Sequence, residues 1–505
     1  MSSSQTDGGL DRDVMAVAMV VVLGAVMSIL DVTVVNVAIN SLSRDFDSPL
    51  STIQWVATGY TLALATVIPL TGWAADRFGT KRLYMISIAL FMAGSALAGA
   101  AWSAESLIFF RVLQGFGGGM IMPAGMTILT RKAGPDRVGR VMAVIGVPML
   151  LGPILGPILG GWLVDDVSWR WIFFINLPIG IVALIASLRI LPKDRPQPGH
   201  SLDLLGLALL SPGLALLIYG LAETATEGGF GSAKVLGPMI AGALLVAAFV
   251  RHALRAEEPL IDLRLFANRT FAVAAATMTL FALAFFGAML LMPLYFQTVR
   301  GESALSAGLI LAPQGLGAML TMPLAGRLVD RIGPGKIVLT GMALIVAGFL
   351  AFTRVKVDTS YWLLEGSLFV MGMGLGATMM PTFSAAMQTL RHAAVAKAST
   401  ALNIIQQVGG SIGTAAMAVL LTRAMTSRLP QSGDGGLGAV QNVPAEARAQ
   451  VMPLLADAFS STFTWALVFV VVAIIPALLL PRRRPEPLED EDEDEAGAGP
   501  LLVHA

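Results

Sequence analysis

Polar and apolar positions along this chain are grouped in long blocks. Apolar runs recur from residue 14 to residue 481, separated by short polar stretches. Each run is long enough to cross a bilayer core of roughly 30 Å as a helix. The pattern predicts fourteen spans, at 14–40, 51–72, 83–102, 106–130, 138–164, 171–191, 203–222, 235–253, 270–297, 303–326, 336–353, 361–388, 395–424 and 459–481. An even count puts both termini on one side. Arg77, Lys81, Arg82, Arg131, Lys132, Arg137, Arg140, Arg327, Arg331, Lys336 and the run Arg482–Arg484 all fall on the side of the N-terminus. Basic loops stay inside, so both ends are expected in the cytoplasm.

Composition agrees with a multi-pass, all-α integral membrane protein. The 505 residues are 55% hydrophobic and 13% charged, against about 25% charged in soluble domains. A net charge of zero gives no footprint for nucleic acid. Without cysteine there can be no disulfide or thiolate metal site. The opening MSSSQTDGGLDRDV has neither a basic segment nor a cleavage site behind it, so the first span is expected to remain as an anchor. Residues 1–13 and the acidic tail 482–505, with its LEDEDEDEAG run, are expected to be disordered. The stretch 425–458 reads as an outer loop that turns weakly helical at PAEARAQVMPLLADAF.

The chain repeats itself. GWAADRFGTKR at 72–82 and GRLVDRIGPGK at 326–336 both carry G-x-x-x-D-R-x-G, with Asp76 and Asp330 254 residues apart. The spans therefore divide into a six-helix bundle (14–191), an inserted pair (203–253) and a second six-helix bundle (270–481). Repeated halves suggest alternating access to a site between them. Gly72, Asp76, Arg77, Gly79 and, in the second copy, Asp330 and Arg331 are the candidate gating residues. Their plainer reading is close packing and charge topology at a tight turn.

A second glycine pattern lies at 152–161, GPILGPILGG. Gly152, Gly156 and Gly160 make one smooth helix stripe on which another helix can pack, and Pro153 and Pro157 kink it. A passive packing face and a moving gate fit this spacing equally.

Ionisable residues inside spans are costly, by roughly 2.5–3.5 kcal/mol at the bilayer centre. Asp31 and Arg111 sit at similar depth in the outer halves of the first and fourth spans. They are candidates for proton coupling or substrate binding, with Gln114 and Asn36 as possible intermediaries; a structural ion pair is the alternative. Glu365 and Glu223 lie nearer the outer ends of their spans. A carboxyl in an apolar cavity is driven toward its neutral form and a neighbouring Arg draws it back, so cavity opening can load and release a proton.

Ser399, Asn403, Gln406, Gly410 and Thr414 share one helix face. With Gln314 and the aromatic and thioether residues Phe285, Phe286, Met289, Met292 and Tyr295, they outline a candidate cavity for lipophilic ligands. Ordinary core packing is the alternative for each Phe and Met.

No G-x-x-x-x-G-K-[ST] motif is present, since IGPGK has the wrong spacing, which argues against ATP-driven transport. His200, His252, His392 and His504 make no zinc or triad spacing and read as interfacial residues. No nucleophile, base or metal set converges in the spans, so an enzyme is not expected.

Five motifs in order carry a family resemblance: LDVTVVNVAI (30–39), GWAADRFGTKR, RVLQGFGGG (111–119), the G-x-x-x-G-P-x-x-G-G of 152–161, and WRWIFFINLPIG (169–180). Over about residues 14–481 the chain resembles the fourteen-span drug:proton antiporter branch of the major facilitator superfamily. Thr80 stands where the family commonly has a basic residue. The resemblance implies the major facilitator fold, a gating role for the 152–161 stripe, and roles for Arg111 in moving or sensing protons and for Asp31 in coupling. It implies export of small lipophilic or cationic substrates, driven by the proton gradient without a cofactor, from a lipid-embedded monomer in a bacterial-type plasma membrane. Movement of a lipid or endogenous metabolite on the same fold is the alternative.

Overall fold

A computed structural model describes residues 11–48, 50–134, 137, 141, 155–156, 159–193, 196, 201–226, 229–390, 394–428 and 445–482. The first half holds α1 (Arg12–Asp45), the short α2 (Leu50–Ile53), α3 (Trp55–Val67), α4 (Leu70–Phe78), α5 (Thr80–Gly99), α6 (Ala104–Ala133), α7 (Trp171–Phe174) and α8 (Asn176–Ile190). The inserted pair is α9 (Leu204–Thr226) and α10 (Ala233–Ala253). The second half is α11 (Arg269–Thr298), α12 (Ala304–Ile332), α13 (Pro334–Phe352), α14 (Tyr361–Gln388), α15 (Val395–Arg428) and α16 (Ala445–Ala477).

Among the described residues twelve helices are long and apolar enough to cross a membrane, or thirteen counting one bent pair. The remaining expected span, 138–164, falls mostly outside the described residues, as do Gly152, Pro153 and Pro157 and most of the two terminal segments.

Two boundaries differ from the sequence expectation. The second span is α3 and α4, bent by 57°. Pro69 at the break has no N–H to continue the ladder, and Thr71 N closes a tighter turn onto the Ile68 carbonyl at 3.0 Å. The stretch expected as an outer loop is entered by helix from both sides: α15 runs to Arg428, and α16 begins at Ala445 and continues unbroken into the last span.

Within each half the helices pack on one another: α1 on α6 and α8, α3 and α5 on α6, then α12 and α13 on α14, and α11 on α15 and α16. The repeated motif has a direct backbone cause. Gly79 and Gly333, its last glycines, adopt φ of 89° and 85°, a region open to glycine and strained for other residues. Lys81 Nζ then donates to the Leu188 and Leu191 carbonyls at 2.9 and 2.7 Å, closing the end of α8. In the second half the Gly335 N–H does the same to the Pro481 carbonyl, 2.9 Å away, beyond α16.

Among the described residues the two halves meet where the first turns of α15 lie against α4 and α6. Gly72 faces Thr400 and the backbone of Lys397, and Ser399 Oγ donates to the Pro123 carbonyl at 3.4 Å. This is the end that carries the basic loops. The inserted helix α9 packs on α3 and on α15, one helix from each half. Helix α10 turns Leu236, Ile240 and Leu244 outward, at a spacing that gives one apolar stripe.

Candidate functional site

The first half is built around one buried polar network. Helix α1 supplies Asp31, α6 supplies Arg111 and Gln114, and α8 supplies Asn176; each is 0–1% exposed. Arg111 Nη1 contacts Asp31 Oδ2 at 2.5 Å and donates to Gln114 Oε1 at 2.7 Å. Asp31 Oδ1 accepts from Gln114 Nε2 at 2.8 Å and from Asn176 Nδ2 at 2.9 Å. Arg111 Nε donates to the Val56 carbonyl at 3.2 Å, and the guanidinium lies 4.2 Å from the centre of the Tyr60 ring and 5.6 Å from that of Phe173. Ser95 on α5 accepts from Asn176 Nδ2 at 3.1 Å and donates to the Phe173 carbonyl at 2.8 Å.

A charge pair removed from water holds only when its remaining donors and acceptors are satisfied. Here a cation, two amides, a carbonyl and an aromatic face do that for Asp31 and Arg111.

Sequence reasoning placed Asp31 and Arg111 at similar depth with Gln114 as a possible intermediary, and the structure joins all three directly. It did not single out Asn176, Ser95 or Tyr60. Asn176 was visible as a lone amide inside WRWIFFINLPIG. Asn36 lies on α1 with a side chain outside the described ones. Glu223 and Glu365 are half-buried near the ends of α9 and α14 and are not among the partners of Asp31 or Arg111.

The other candidates separate into three places. Asp76 accepts from Arg131 Nη2 at 3.1 Å, tying the motif turn to the end of α6. Arg77 lines a crevice with Asp76, Asp203, Glu258 and Lys397, between the first half, the inserted pair and the second half. Arg331 is exposed on α12, and the Asp330 side chain is outside the described ones. Gly156 and Gly160 of the second glycine pattern pack against Thr33 and Val34 of α1, two to three residues past Asp31.

Phe285, Met289 and Gln314 line one small pocket inside the second half. Asn403 and Gln406 are not among its lining residues. Asn403 instead folds its amide back onto the Ser399 carbonyl at 2.8 Å. His252, at the end of α10, pairs with Asp203 at 2.8 Å. His200, His392 and His504 lie outside the described residues.

Residues 21–414 match the family model of the Major Facilitator Superfamily. The chain belongs to that superfamily. A "Multidrug resistance protein B homolog" of Mycobacterium tuberculosis is 48% identical over 94% of this chain and 91% of its own length. The "Multidrug export protein EmrB" of Haemophilus influenzae is 33% identical over 78% of this chain and 77% of its own. A "Tetracenomycin C resistance and export protein" of Streptomyces glaucescens is 31% identical over 81% and 76%. Among solved structures, the human organic anion transporter MFSD10 aligns with a TM-score of 0.58 at 17% identity, over 90% of this chain and 99% of that one. The proton:xylose symporter XylE aligns at 0.56 and 14%, over 91% and 95%. At those identities the structural likeness speaks for the fold. As a member of the superfamily this chain is a multi-pass membrane transporter, not an enzyme.

Proposed function

We propose that this transporter exports lipophilic or cationic drugs by proton-coupled antiport. The observation that carries the reading is Asp31: a carboxylate deep in a membrane bundle, held by one guanidinium and one amide of α6 and one amide of α8. Its relatives named for multidrug resistance and export support the cargo class. The contact of the two halves at the basic-loop end, with Gly72 against α15, supports alternating access.

In this mechanism Asp31 takes a proton when its side of the network opens outward. Arg111 then turns more fully to Gln114, Val56 and the Tyr60 ring, and the slackened link between α1 and α6 lets the halves rock. Reclosure returns Arg111 to Asp31 and expels the proton inward while cargo leaves outward. One charge crossing about 100 mV supplies roughly 2.3 kcal/mol, or about 1.6 decades of cargo gradient. The protein works in the plasma membrane with both ends in the cytoplasm, as a monomer and without a cofactor.

The test is dye transport driven by a pH gradient in proteoliposomes, comparing wild type with Asp31→Asn and Arg111→Ala. Wild type is expected to exchange protons for ethidium, and both variants to lose the coupling. Coupled exchange retained in both would remove the network from the mechanism. Lipid movement with no dye transport would transfer the reading to a lipid exporter.

A further inference from the structure

The second span breaks between Val67 and Leu70, where α3 stops and α4 turns away by 57°. Beyond the break α4 makes part of the inner contact between the halves, with Gly72 against Thr400 and the Lys397 backbone of α15. Whatever fixes the bend therefore fixes how α4 meets the other half. A backbone break among apolar helices holds only where neighbours satisfy the groups it frees. Pro69 offers no N–H. The helical donor of the Thr66 carbonyl would be Leu70 N, which lies across the break. That carbonyl accepts from Ser211 Oγ of the inserted helix α9 at 2.6 Å. A buried serine inside a helix commonly returns its hydroxyl to the preceding turn, as Ser187 does to the Ala183 carbonyl at 2.6 Å. Ser211, equally buried, reaches across to α3 instead.

Two further contacts seat α9 along the whole of α3. The Tyr219 ring stacks on Trp55 at the outer end of α3, with centres 5.7 Å and planes 28° apart. Tyr219 on Trp55 and Ser211 on Thr66 run in opposite senses, so α9 lies antiparallel to α3 from its outer end to the break. At the inner end Asp203, just before α9, lines the crevice with Asp76, Arg77 and Lys397. Helix α9 also packs on α15. One helix thus touches the upper segment, the break and the half against which α4 rests.

We propose that Ser211 is a positioning residue for transport: through it the inserted helix latches the α3–α4 bend and keeps α4 seated on α15. Opening the inner end carries α4 away from α15, and the bend must change as it goes. The Ser211–Thr66 bond resists that change, so the inserted pair sets how readily the inner end opens. Placing the latch in a transport cycle rests on the alternating-access reading; the latch itself does not.

The test is thiol accessibility at the inner contact. The chain has no cysteine, so Thr400→Cys is a single reporter, buried opposite Gly72. Its labelling by a charged maleimide is followed in the full-length protein in nanodiscs, with no dye and no pH gradient. Ser211→Ala is expected to speed labelling about tenfold, the order set by one buried hydrogen bond. Ser211→Thr, which keeps the hydroxyl, is expected to label as the parent does. Pro69→Ala returns an N–H to the ladder, and in that background Ser211→Ala is expected to add about twofold at most, as coupled sites do. Amide exchange in Ser211→Ala is expected to rise at Leu70 and Thr71 and to stay unchanged at residues 115–119, which separates release of the bend from general unfolding. Unchanged labelling in Ser211→Ala, equal acceleration in Ser211→Thr, full additivity with Pro69→Ala, or exchange raised throughout the bundle would each overturn the proposal. Dye–proton exchange that fails while these rates hold would count against the export reading and leave the latch standing.

Discussion

Asn176 Nδ2 donates to Asp31 Oδ1 at 2.9 Å, while Asn176 Oδ1, equally buried, has no hydrogen-bond partner among the described residues. A buried acceptor without a donor costs about 1–3 kcal/mol. A half-turn of the amide would place that oxygen toward Asp31, where it can accept a hydrogen bond only if Asp31 carries a proton. Truncation in Asn176→Ala removes one of the three donors that hold the Asp31 carboxylate. Unfolding stability in detergent is expected to fall by roughly 1.5–3 kcal/mol, the worth of a hydrogen bond to a charged group. An unchanged unfolding midpoint would mean that Asn176 does not help to hold the ion pair.

The two ends of the ion pair are unequal in what they leave behind. Arg111→Ala strands the Asp31 charge with two amides, and breaking a buried pair from one side costs about 3–5 kcal/mol. Asp31→Asn keeps the shape, and Arg111 retains the Val56 carbonyl, Gln114 and the Tyr60 ring. Thermal unfolding in detergent is expected to fall several degrees further for Arg111→Ala than for Asp31→Asn. Equal losses would mean that water reaches the site and screens it.

The repeat makes paired predictions. Gly115→Ala and Gly372→Ala each push a methyl group into a backbone carbonyl of the neighbouring helix, Tyr60 in one half and Gln314 in the other. Each is expected to destabilise by about 1–3 kcal/mol. Gly161→Ala meets nothing within 4 Å and is expected to stabilise its helix by roughly 0.5–1 kcal/mol. Unfolding midpoints of the three variants decide the matter.

Asp203 fastens both ends of the inserted pair. Its carboxylate accepts from Gly206 N at 2.7 Å, Leu260 N at 3.2 Å and His252 Nε2 at 2.8 Å. Asp203→Ala is expected to speed amide hydrogen exchange at residues 201–206 and 258–260 by about tenfold, on the basis of roughly 1–2 kcal/mol for a lost cap. Exchange around Arg111 is expected to stay as in wild type. Uniform acceleration would mean that Asp203 supports the whole bundle.

Much of the architecture was legible because apolar blocks of span length and the basic loops are properties of the chain itself. The G-x-x-x-D-R-x-G repeat was equally legible, since its last glycine answers a local demand, a positive φ at Gly79 and Gly333. The bend at Pro69 was signalled by the proline, but its 57° size belongs to packing.

Sequence alone therefore determined the membrane class, the order of the helices, the repeated motif and the presence of Asp31 and Arg111 inside the spans. Tertiary structure decided who meets whom. Depth along a helix says nothing of rotation about its axis, so only packing could bring Asn176 to Asp31 and Ser95 to Asn176. Packing likewise left Asn403 and Gln406 off the lining of the cavity while keeping Gln314, Phe285 and Met289 on it.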